Sequence, residues 1–431
     1  MKKKVLIISY YYPPIADVGS QRALAFSKYL PEFGWEPYVL SVKNPDKTWC
    51  VIGEEKPPEG VSVFYTLSLF NLTWIMGKIN ALLTKPLKIF GLEPRKTIIL
   101  NLFAVPDQFI GWIPLSLLKG LILVKKHNID VILATCKPIS CGIIGYLLKI
   151  ITKKPFILDI RDPLSPIFGN TAEVYYKLMP SVYLLKKIEK YLLRKADKIT
   201  VVTNSMKQKY LSNYPLLNNK INTIYNGFME EYFSINPEPF DKFTIVYVGS
   251  PYLYHKEISL EVIFEALQIM FGKSKNLKEN IQFLCVGENS VILKDAINKY
   301  GLEDIVKLVG YVSYQQAVEY IYKSSLFLVL VVPETLPVKM FDGLAVGIPM
   351  LVLSKEGEEA NEIIRKFSNQ AYFVKQHEIE YIINCIEDAY NQWFSKRLRK
   401  QKDEEYLYLF SRRNSVRGSS KILDSLLPPN P

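Results

Sequence analysis

Histidine and cysteine are scarce in this chain of 431 residues, which contains three histidines and five cysteines. The cysteines are odd in number, widely spaced and nowhere form a C-x-x-C pair, so the sequence predicts reduced thiols and no zinc site. The histidines form no H-E-x-x-H or H-x-x-x-H pair, which argues against a histidine-based metal site. We therefore expect no metal and no other cofactor.

A membrane-spanning stretch is also missing. The longest apolar run, Ile110–Val124, is shorter than the roughly 20 residues that a spanning helix needs, and it contains Lys119. The N-terminal sequence MKKKVLIISYYYPP places lysines before an apolar run, as a signal peptide does, but the run is short, tyrosine-rich and followed by two prolines. We expect a first buried strand there and a cytoplasmic location.

The composition is that of an ordered protein with more than one domain. Hydrophobic residues make up 49% and charged residues 22% of the chain, and its length exceeds what one core usually supports. The net charge of +12 suggests an anionic partner, which is a nucleic acid, a membrane surface or a phosphorylated small molecule.

Short apolar runs alternate with amphipathic stretches, as in βαβ units that build a parallel sheet. Two such series occur, one from the N-terminus and one from Phe243, so we predict an α/β fold with two doubly wound domains. The predicted strands are Val5–Tyr10, Pro37–Val42, Asp130–Ala134, Pro155–Asp159 and Lys198–Val202, then Thr244–Val248, Ile281–Val286, Val306–Val309, Ser325–Val332 and, closing the second series, Met350–Leu353.

Two prolines in the stretch Ser234–Asp241 indicate a linker. The predicted domains are therefore residues 1–234 and 241–400, and the segment 401–431 is a candidate to cross back to the first domain. The stretch Val61–Ile110 fits the alternation poorly and is predicted to be an insertion with short helices. Ligands in such folds bind at the carboxyl ends of strands, so the cleft between the domains is the expected site.

The strongest chemical signal follows the predicted strand Ser325–Val332, where VPETLPVKMFDGLAVGIP forms a turn and then a helix from about Lys339. A helix N-terminus offers unpaired N–H groups and partial positive charge, so it can receive a diphosphate. The carboxylates of Glu334 and Asp342 can accept both hydrogens of a ribose diol. An ordinary helix start with acidic residues beside its dipole is the alternative.

This segment resembles the E-x7-E region of GT-B-fold glycosyltransferases of the large retaining family 4, which is similar to KLFEYLAAGKPIL. The resemblance implies two Rossmann-like domains facing across a cleft and a retaining, hexosyltransferase-like enzyme that uses a nucleotide sugar. It also implies that Glu334 contacts the donor sugar and that Asp342 holds the ribose, with the helix at Lys339 receiving the diphosphate. The second acid is Asp here, so it reaches about one bond length (~1.5 Å) less far than Glu.

Two further loops of the second domain fit the resemblance. Gly249 ends one predicted strand and is followed in the loop by His255 and Lys256, where the family has cations that grip the pyrophosphate. Lys256 is the candidate cation and His255 is the alternative, while a solvated pair of Lys256 with Glu257 is the structural explanation. Gly287 ends the next strand, where the family lines its nucleotide pocket.

In the first domain, the loop YYYPPIADVGSQRALAF contains Gly19 and Arg22 at the start of a predicted helix. It resembles the family's first loop near the donor phosphates, although Ala16-Asp17 occupies the place of a Gly-Gly pair. The loop is not a G-x-G-x-x-G motif, which disfavours a dehydrogenase.

The segments DVILATCKPIS and KKPFILDIRDPLSP resemble the family sequences DVIYASGPPFS and WVADFRDPW. Asp159, Arg161 and Asp162 lie at the end of a predicted strand, where charged groups are costly unless they are used. Asp162 is predicted to orient or deprotonate the acceptor hydroxyl. Arg161 pairs either with phosphate or with Asp159.

The stretch Tyr183–Arg194 has apolar and basic residues on two faces at helical spacing. Such a helix can rest on anionic lipid, or it can be a buried helix with a solvated basic face. A lipid-linked glycan acceptor and peripheral attachment to the inner face of the membrane follow from the first interpretation.

The predicted function is transfer of a sugar from a UDP- or GDP-sugar to an acceptor hydroxyl in the biosynthesis of an envelope or surface polysaccharide. The alternatives are a sugar-nucleotide epimerase or phosphorylase on the same architecture, and a catalytically weakened nucleotide-sugar-binding partner subunit. Nucleic acid is disfavoured because the basic residues lack the aromatic or recognition-motif context of such proteins.

Overall fold

The computed structural model describes residues 2–15, 19–47, 50, 52–53, 55–75, 77–79, 105–164, 180–234, 237–250, 258–287 and 289–428. The chain divides into two compact units. Residues Met1–Tyr225 and Ser415–Pro431 form the first unit, and Asn226–Asn414 form the second. The division falls before the proline-containing stretch 234–241 that indicates a linker in the sequence.

The first unit is built on a seven-stranded sheet. Its elements are β1 (Lys3–Ile8), α1 (Ser20–Tyr29), β2 (Trp35–Val42), β3 (Ser62–Thr66), α2 (Ile113–His127), β4 (Val131–Cys136), α3 (Ile139–Thr152), β5 (Phe156–Ile160), α4 (Pro180–Lys195), β6 (Lys198–Val201), α5 (Asn204–Asn213) and β7 (Ile221–Thr223). The strand order is β3-β2-β1-β4-β5-β6-β7, and all neighbouring strands are parallel.

The second unit is built on a six-stranded sheet. Its elements are β8 (Phe243–Gly249), α6 (Glu261–Lys273), α7 (Lys275–Asn280), β9 (Ile281–Gly287), α8 (Val291–Lys299), β10 (Val306–Gly310), α9 (Tyr314–Lys323), β11 (Leu326–Leu330), α10 (Val338–Val346), β12 (Met350–Leu353), α11 (Glu359–Phe367), β13 (Ala371–Val374), α12 (Ile379–Phe394) and α13 (Glu404–Leu409). The order β10-β9-β8-β11-β12-β13 is again parallel throughout. A last helix, α14 (Arg412–Asp424), follows.

The central strands are apolar along their whole length because helices cover both faces of a parallel sheet. All six residues of β4 and all five of β11 are buried. Helix α3 lies so close to the first sheet that a Cβ on Gly145 would come within 2.5 Å of the Phe156 ring. The predicted fold class, an α/β protein with two doubly wound parallel sheets, is confirmed.

Three edge strands differ from the sequence prediction. Strand β3 lies in the stretch that was expected to hold an insertion with short helices, so that prediction is wrong for residues 62–66. Residues 80–104 of the same stretch lie outside the described part of the chain. Strand β7 was not predicted, and β13 follows the strand Met350–Leu353 that was expected to close the second series. Each pairs on one side only and lacks the long apolar run of a central strand.

The C-terminal helix α14 packs on the first unit. Its Asp424 carboxylate accepts hydrogen bonds from Lys3 Nζ at 2.7 Å and from Trp35 Nε1 at 3.0 Å. Within the described ranges, no helix combines the length and the apolar composition needed to cross a bilayer.

Candidate functional site

The carboxyl edge of the second sheet carries two glycines that the sequence pointed to. Gly249 ends β8 and Gly287 ends β9, and the two are direct partners in the sheet register. Both have positive φ angles, 139° and 136°, and a Cβ on Gly287 would lie 2.5 Å from the Gly249 carbonyl oxygen. Glycine is therefore required, and it leaves the backbone open to a ligand at the end of the sheet.

Helix α10 begins at this same edge, because β11 pairs with β8. The sheet order turns around at β8, which lies between β9 and β11, and such a switch point is where doubly wound folds bind ligands. The helix starts after Pro337, one residue before the predicted Lys339. The exposed Glu334 lies in the preceding turn with a φ of 67°, and its backbone N–H donates to Glu358 Oε2 at 2.8 Å.

The Asp342 carboxylate is fully buried in the second turn of α10. Its Oδ1 accepts a short hydrogen bond from the Tyr314 hydroxyl, and its Oδ2 lies 3.7 Å from Lys339 Nζ. Within the described part of the chain, Oδ2 accepts no hydrogen bond. Burial raises the pKa of Asp342, and the positive charge of Lys339 opposes that rise.

Tyr314 and Lys339 form the layer next to this carboxylate. Burial raises the pKa of Tyr314, so its hydroxyl remains a neutral donor to Asp342, and burial lowers the pKa of Lys339. The Lys339 ammonium lies 4.6 Å from the centre of the Tyr314 ring, and 22% of its side chain is exposed. The Lys339 side chain is therefore partly exposed at the start of α10, whereas the Asp342 side chain is shielded from solvent.

Tyr314 was not among the residues predicted from the sequence. The available signal was the capping box at the start of α9, in which Ser313 and Gln316 bond each other's backbone. That motif fixes the start of a helix directly after β10 and therefore brings Tyr314 to the carboxyl edge of the sheet.

In the first unit, Arg22 does not extend into solvent at the start of α1. Its side chain is buried and forms a bidentate pair with Asp159, with Nε and Nη2 within 3.1 Å of the carboxylate oxygens. Thr200 Oγ1 donates to the same carboxylate at 2.5 Å, and Arg22 Nη1 donates to the Ile224 carbonyl at 3.0 Å. Arg22 thus forms a buried ion pair within the first unit, and its role in donor binding stays a prediction.

Arg161 and Asp162 follow β5. Because Asp159 pairs with Arg22, the alternative pairing of Asp159 with Arg161 is wrong. The Arg161 guanidinium instead donates short hydrogen bonds to the carbonyls of Gly19 and Lys137 and lies over the Tyr11 ring. Gly19 thus holds Arg161 through its carbonyl. Asp162 is exposed, and its carboxylate makes no hydrogen bond or ion pair with any described residue.

Several predicted residues lie outside the described ranges. These are His255 and Lys256, the two candidate diphosphate cations, and the Ala16-Asp17 pair of the first loop. Among the described residues, no three His, Cys, Asp or Glu side chains lie together as metal ligands would.

Comparison with known proteins places these features in a family. Residues 228–406 match the family described as "Glycosyl transferases group 1", and residues 90–231 match "Glycosyltransferase Family 4". Among curated protein sequences, none matches the chain.

Several solved structures share the fold over the whole chain. Sucrose-phosphate synthase from Thermosynechococcus elongatus is 16% identical, with 98% of this chain and 99% of that chain covered and a TM-score of 0.66. A glycosyltransferase from Rickettsia africae ESF-5 is 16% identical, with both chains covered to 100% and a TM-score of 0.63. A TarM mutant from S. aureus, in complex with fondaparinux, α-GlcNAc-glycerol and UDP, is 14% identical, with 99% and 100% covered and a TM-score of 0.61.

Two Rossmann-like units with this sheet topology define a GT-B fold. With the two family matches, the chain belongs to the group 1 glycosyltransferases of family 4 type, and it is a glycosyltransferase enzyme.

The Arg22–Asp159 pair makes a testable prediction about stability. We expect Arg22→Ala to lower the free energy of unfolding by about 3–5 kcal/mol, because Asp159 would be left as an uncompensated buried charge. The control is Lys149→Ala, which breaks the ion pair between Lys149 Nζ and Asp197 Oδ1 at 2.7 Å. The side chains of Lys149 and Asp197 are 27% and 35% exposed. We expect the control to lower the free energy of unfolding, measured by urea unfolding, by about 0–1 kcal/mol. Wild-type stability together with weaker donor binding in Arg22→Ala would instead support a role in the donor site.

The burial of Asp342 leads to a prediction about how the free energy of unfolding depends on pH. Its raised pKa means that folding takes up a proton at pH values between the unfolded and folded pKa, so the free energy of unfolding falls as the pH rises through that window. Asp342→Asn stays neutral and should lose this dependence at pH values above about 3.9, the ordinary pKa of aspartate.

Thermal unfolding across that range measures the effect. Asp295 is exposed on α8, so Asp295→Asn is the control, and its stability should depend on pH as that of the wild type does. Parallel pH profiles for Asp342→Asn and the wild type would show that Asp342 does not carry the effect.

Proposed function

We propose that this glycosyltransferase takes its sugar from a nucleoside diphosphate sugar, with UDP or GDP as the nucleotide, and transfers it to an acceptor hydroxyl with retention at the anomeric carbon. The observation that carries this proposal is the start of α10, where helix N–H groups and the Lys339 ammonium lie at the carboxyl edge of the second sheet. The TarM mutant of the same fold was solved with UDP, which supports a nucleotide donor.

The chemistry proposed for α10 is stabilisation of the departing diphosphate. Charge develops on that group as the glycosidic bond breaks, and a fixed helix N-terminus with a cation stabilises it without reorganisation. Asp342 and Tyr314 act as positioning residues, because they hold Lys339 in its orientation. Glu334 is exposed in the turn before the helix and is proposed to contact hydroxyls of the donor sugar. No metal is required in this scheme.

The residue proposed to act on the acceptor is Asp162. It is an exposed carboxylate directly after β5, and it can orient the acceptor hydroxyl or take up its proton. Arg161 is bound to two backbone carbonyls, so its proposed role is to hold this loop in place.

A binding screen tests the donor. We expect the melting temperature to rise with one class among UDP-, GDP- and dTDP-sugars, and Lys339→Gln to weaken that donor about 10–100-fold, the cost of losing a charged hydrogen bond of about 1.5–3 kcal/mol. Lys307→Gln, an exposed lysine on β10, is the control and should bind as the wild type does.

If none of the three classes of nucleotide sugar raises the melting temperature, the proposal of a nucleotide-sugar donor is refuted. Labelled donor that is converted to its epimer with no acceptor present would favour the epimerase alternative instead.

The proposed acceptor is a lipid-linked glycan at the inner face of the membrane, used to build an envelope or surface polysaccharide. The exposed face of α4 supports this, because Tyr183 and Tyr191 are 63% and 48% exposed and have Lys187 and Lys195 over their rings. Next to it on α3, Ile150 and Ile151 are 43% and 55% exposed. Tyrosines and lysines on one helix face suit an anionic lipid interface.

Vesicle flotation tests the membrane contact. We expect binding to vesicles with 30% phosphatidylglycerol but not to pure phosphatidylcholine, and a loss of at least about tenfold in Lys187→Glu/Lys190→Glu, since each surface cation contributes about 1 kcal/mol. The control reverses two exposed lysines of the second unit, Lys273→Glu/Lys278→Glu. Equal binding of both double variants would show that α4 is not the contact.

A further inference from the structure

A cavity of about 190 Å³ lies in the second unit where β12 and β13 end. Ser354 follows β12 and Lys375 follows β13, while Asn361 and Arg365 lie one turn apart on α11, the helix between the two strands. We call this cavity the β12–β13 pocket. These are the last two strands in the sheet order, so the pocket lies apart from the switch point at β8.

The loop between β12 and α11 forms one side of the β12–β13 pocket and is held by hydrogen bonds. The Ser354 N–H donates to the Val374 carbonyl at 3.1 Å, which continues the strand pairing past the end of β12. The side-chain amide of Asn361 donates to the Lys355 carbonyl at 2.6 Å. The loop is therefore tied both to β13 and to α11, and its side chains have a defined place before any ligand binds.

Ser354 supplies a buried polar group to this pocket. The residue is only 5% exposed, and its hydroxyl makes no hydrogen bond with any described residue. Asn361 Oδ1 is also buried and accepts no hydrogen bond from the described part of the chain. Buried polar groups in folded proteins almost always have a partner. A buried hydroxyl without a partner in the wall of a cavity can donate to a ligand there.

Arg365 supplies a cation to the same pocket. Its guanidinium lies 4.5 Å from the centre of the Phe373 ring. It forms no ion pair or hydrogen bond with any residue in the described ranges. Stacking on a ring orients a guanidinium and leaves its N–H donors available, so Arg365 can bind an anion in a bidentate manner.

The charge of the lining favours an anionic ligand. Three cationic side chains and two carboxylates line the β12–β13 pocket, which gives a net charge of +1. The carboxylates of Glu356 and Glu378 both lie near Lys375 Nζ, at 3.6 Å and 3.9 Å. The charge of Lys375 is thus matched within the pocket, whereas no described carboxylate pairs with Arg365.

We propose that the β12–β13 pocket binds the phosphate monoester of a small hydroxylated molecule, as a second site apart from the donor site proposed at α10. A bidentate guanidinium uses two oxygens of an anion. A phosphate monoester has a third terminal oxygen that can accept from the Ser354 hydroxyl, whereas a carboxylate has only two oxygens. The cavity equals the volume of about six water molecules at ~30 Å³ each, which is room for a phosphate group and a short carbon chain.

Equilibrium dialysis of the full chain with labelled sn-glycerol 3-phosphate tests this site. We expect one molecule of the ester per chain, displaced by inorganic phosphate, at least about tenfold less well by glycerate, and not at all by glycerol. Arg365→Gln and Ser354→Ala should each weaken binding at least about tenfold, because each removes a hydrogen bond to a charged group.

The matched controls are Arg399→Gln and Ser395→Ala, whose wild-type residues are exposed in the same unit outside the pocket. Both should bind the ester as the wild type does, and so should Lys339→Gln. The dialysis contains no nucleotide sugar, so its outcome is independent of the proposed function.

Three results would each overturn the proposal. The first is that the ester does not bind, and the second is that glycerate competes as well as inorganic phosphate does. The third is binding that Lys339→Gln removes and Arg365→Gln leaves unchanged, which would place the ester at the start of α10.

Discussion

Each of the two parallel sheets has to bury both of its faces, and most of the structure follows from that constraint. Strands β4 and β11 are buried from end to end, so they carry no side chain that can bind a polar ligand along their length. Helices occupy the faces, and the chain is free to vary where strands end. The start of α10 lies at such an edge, beside the carboxyl ends of β8 and β9.

Two buried carboxylates at these edges are stabilised in different ways. Asp159 receives a bidentate arginine and a threonine hydroxyl, so its charge is matched and its hydrogen-bonding capacity is used. Asp342 receives one tyrosine hydroxyl and a lysine at 3.7 Å, and its pKa is raised. The first arrangement is typical of a structural pair. In the second arrangement, one carboxylate oxygen of Asp342 accepts no hydrogen bond from any described residue.

The second unit shows which parts of the site can be predicted from the sequence. Gly249, Gly287 and the start of α10 were all found from the sequence, because each is a local signal: a glycine after an apolar run, or a helix after a proline turn. Tyr314 was missed, since its contact with Asp342 joins positions 28 apart in the chain. The edge strand β13 was also missed, because its run Ala371–Val374 is only four residues long and lies beyond the strand that was expected to close the series.

The sequence by itself determined the fold class, the two βαβ series and the family, because buried strands, turn glycines and the E-x7-D segment are written in consecutive residues. Only the tertiary structure decided how the charges are used. Arg22 has the sequence position of a phosphate ligand, yet it is 137 positions from the aspartate that it pairs with. The Tyr314–Asp342 contact likewise joins the helix after β10 to the helix after β11. Such pairings form by packing across the sheet, and no local pattern encodes them.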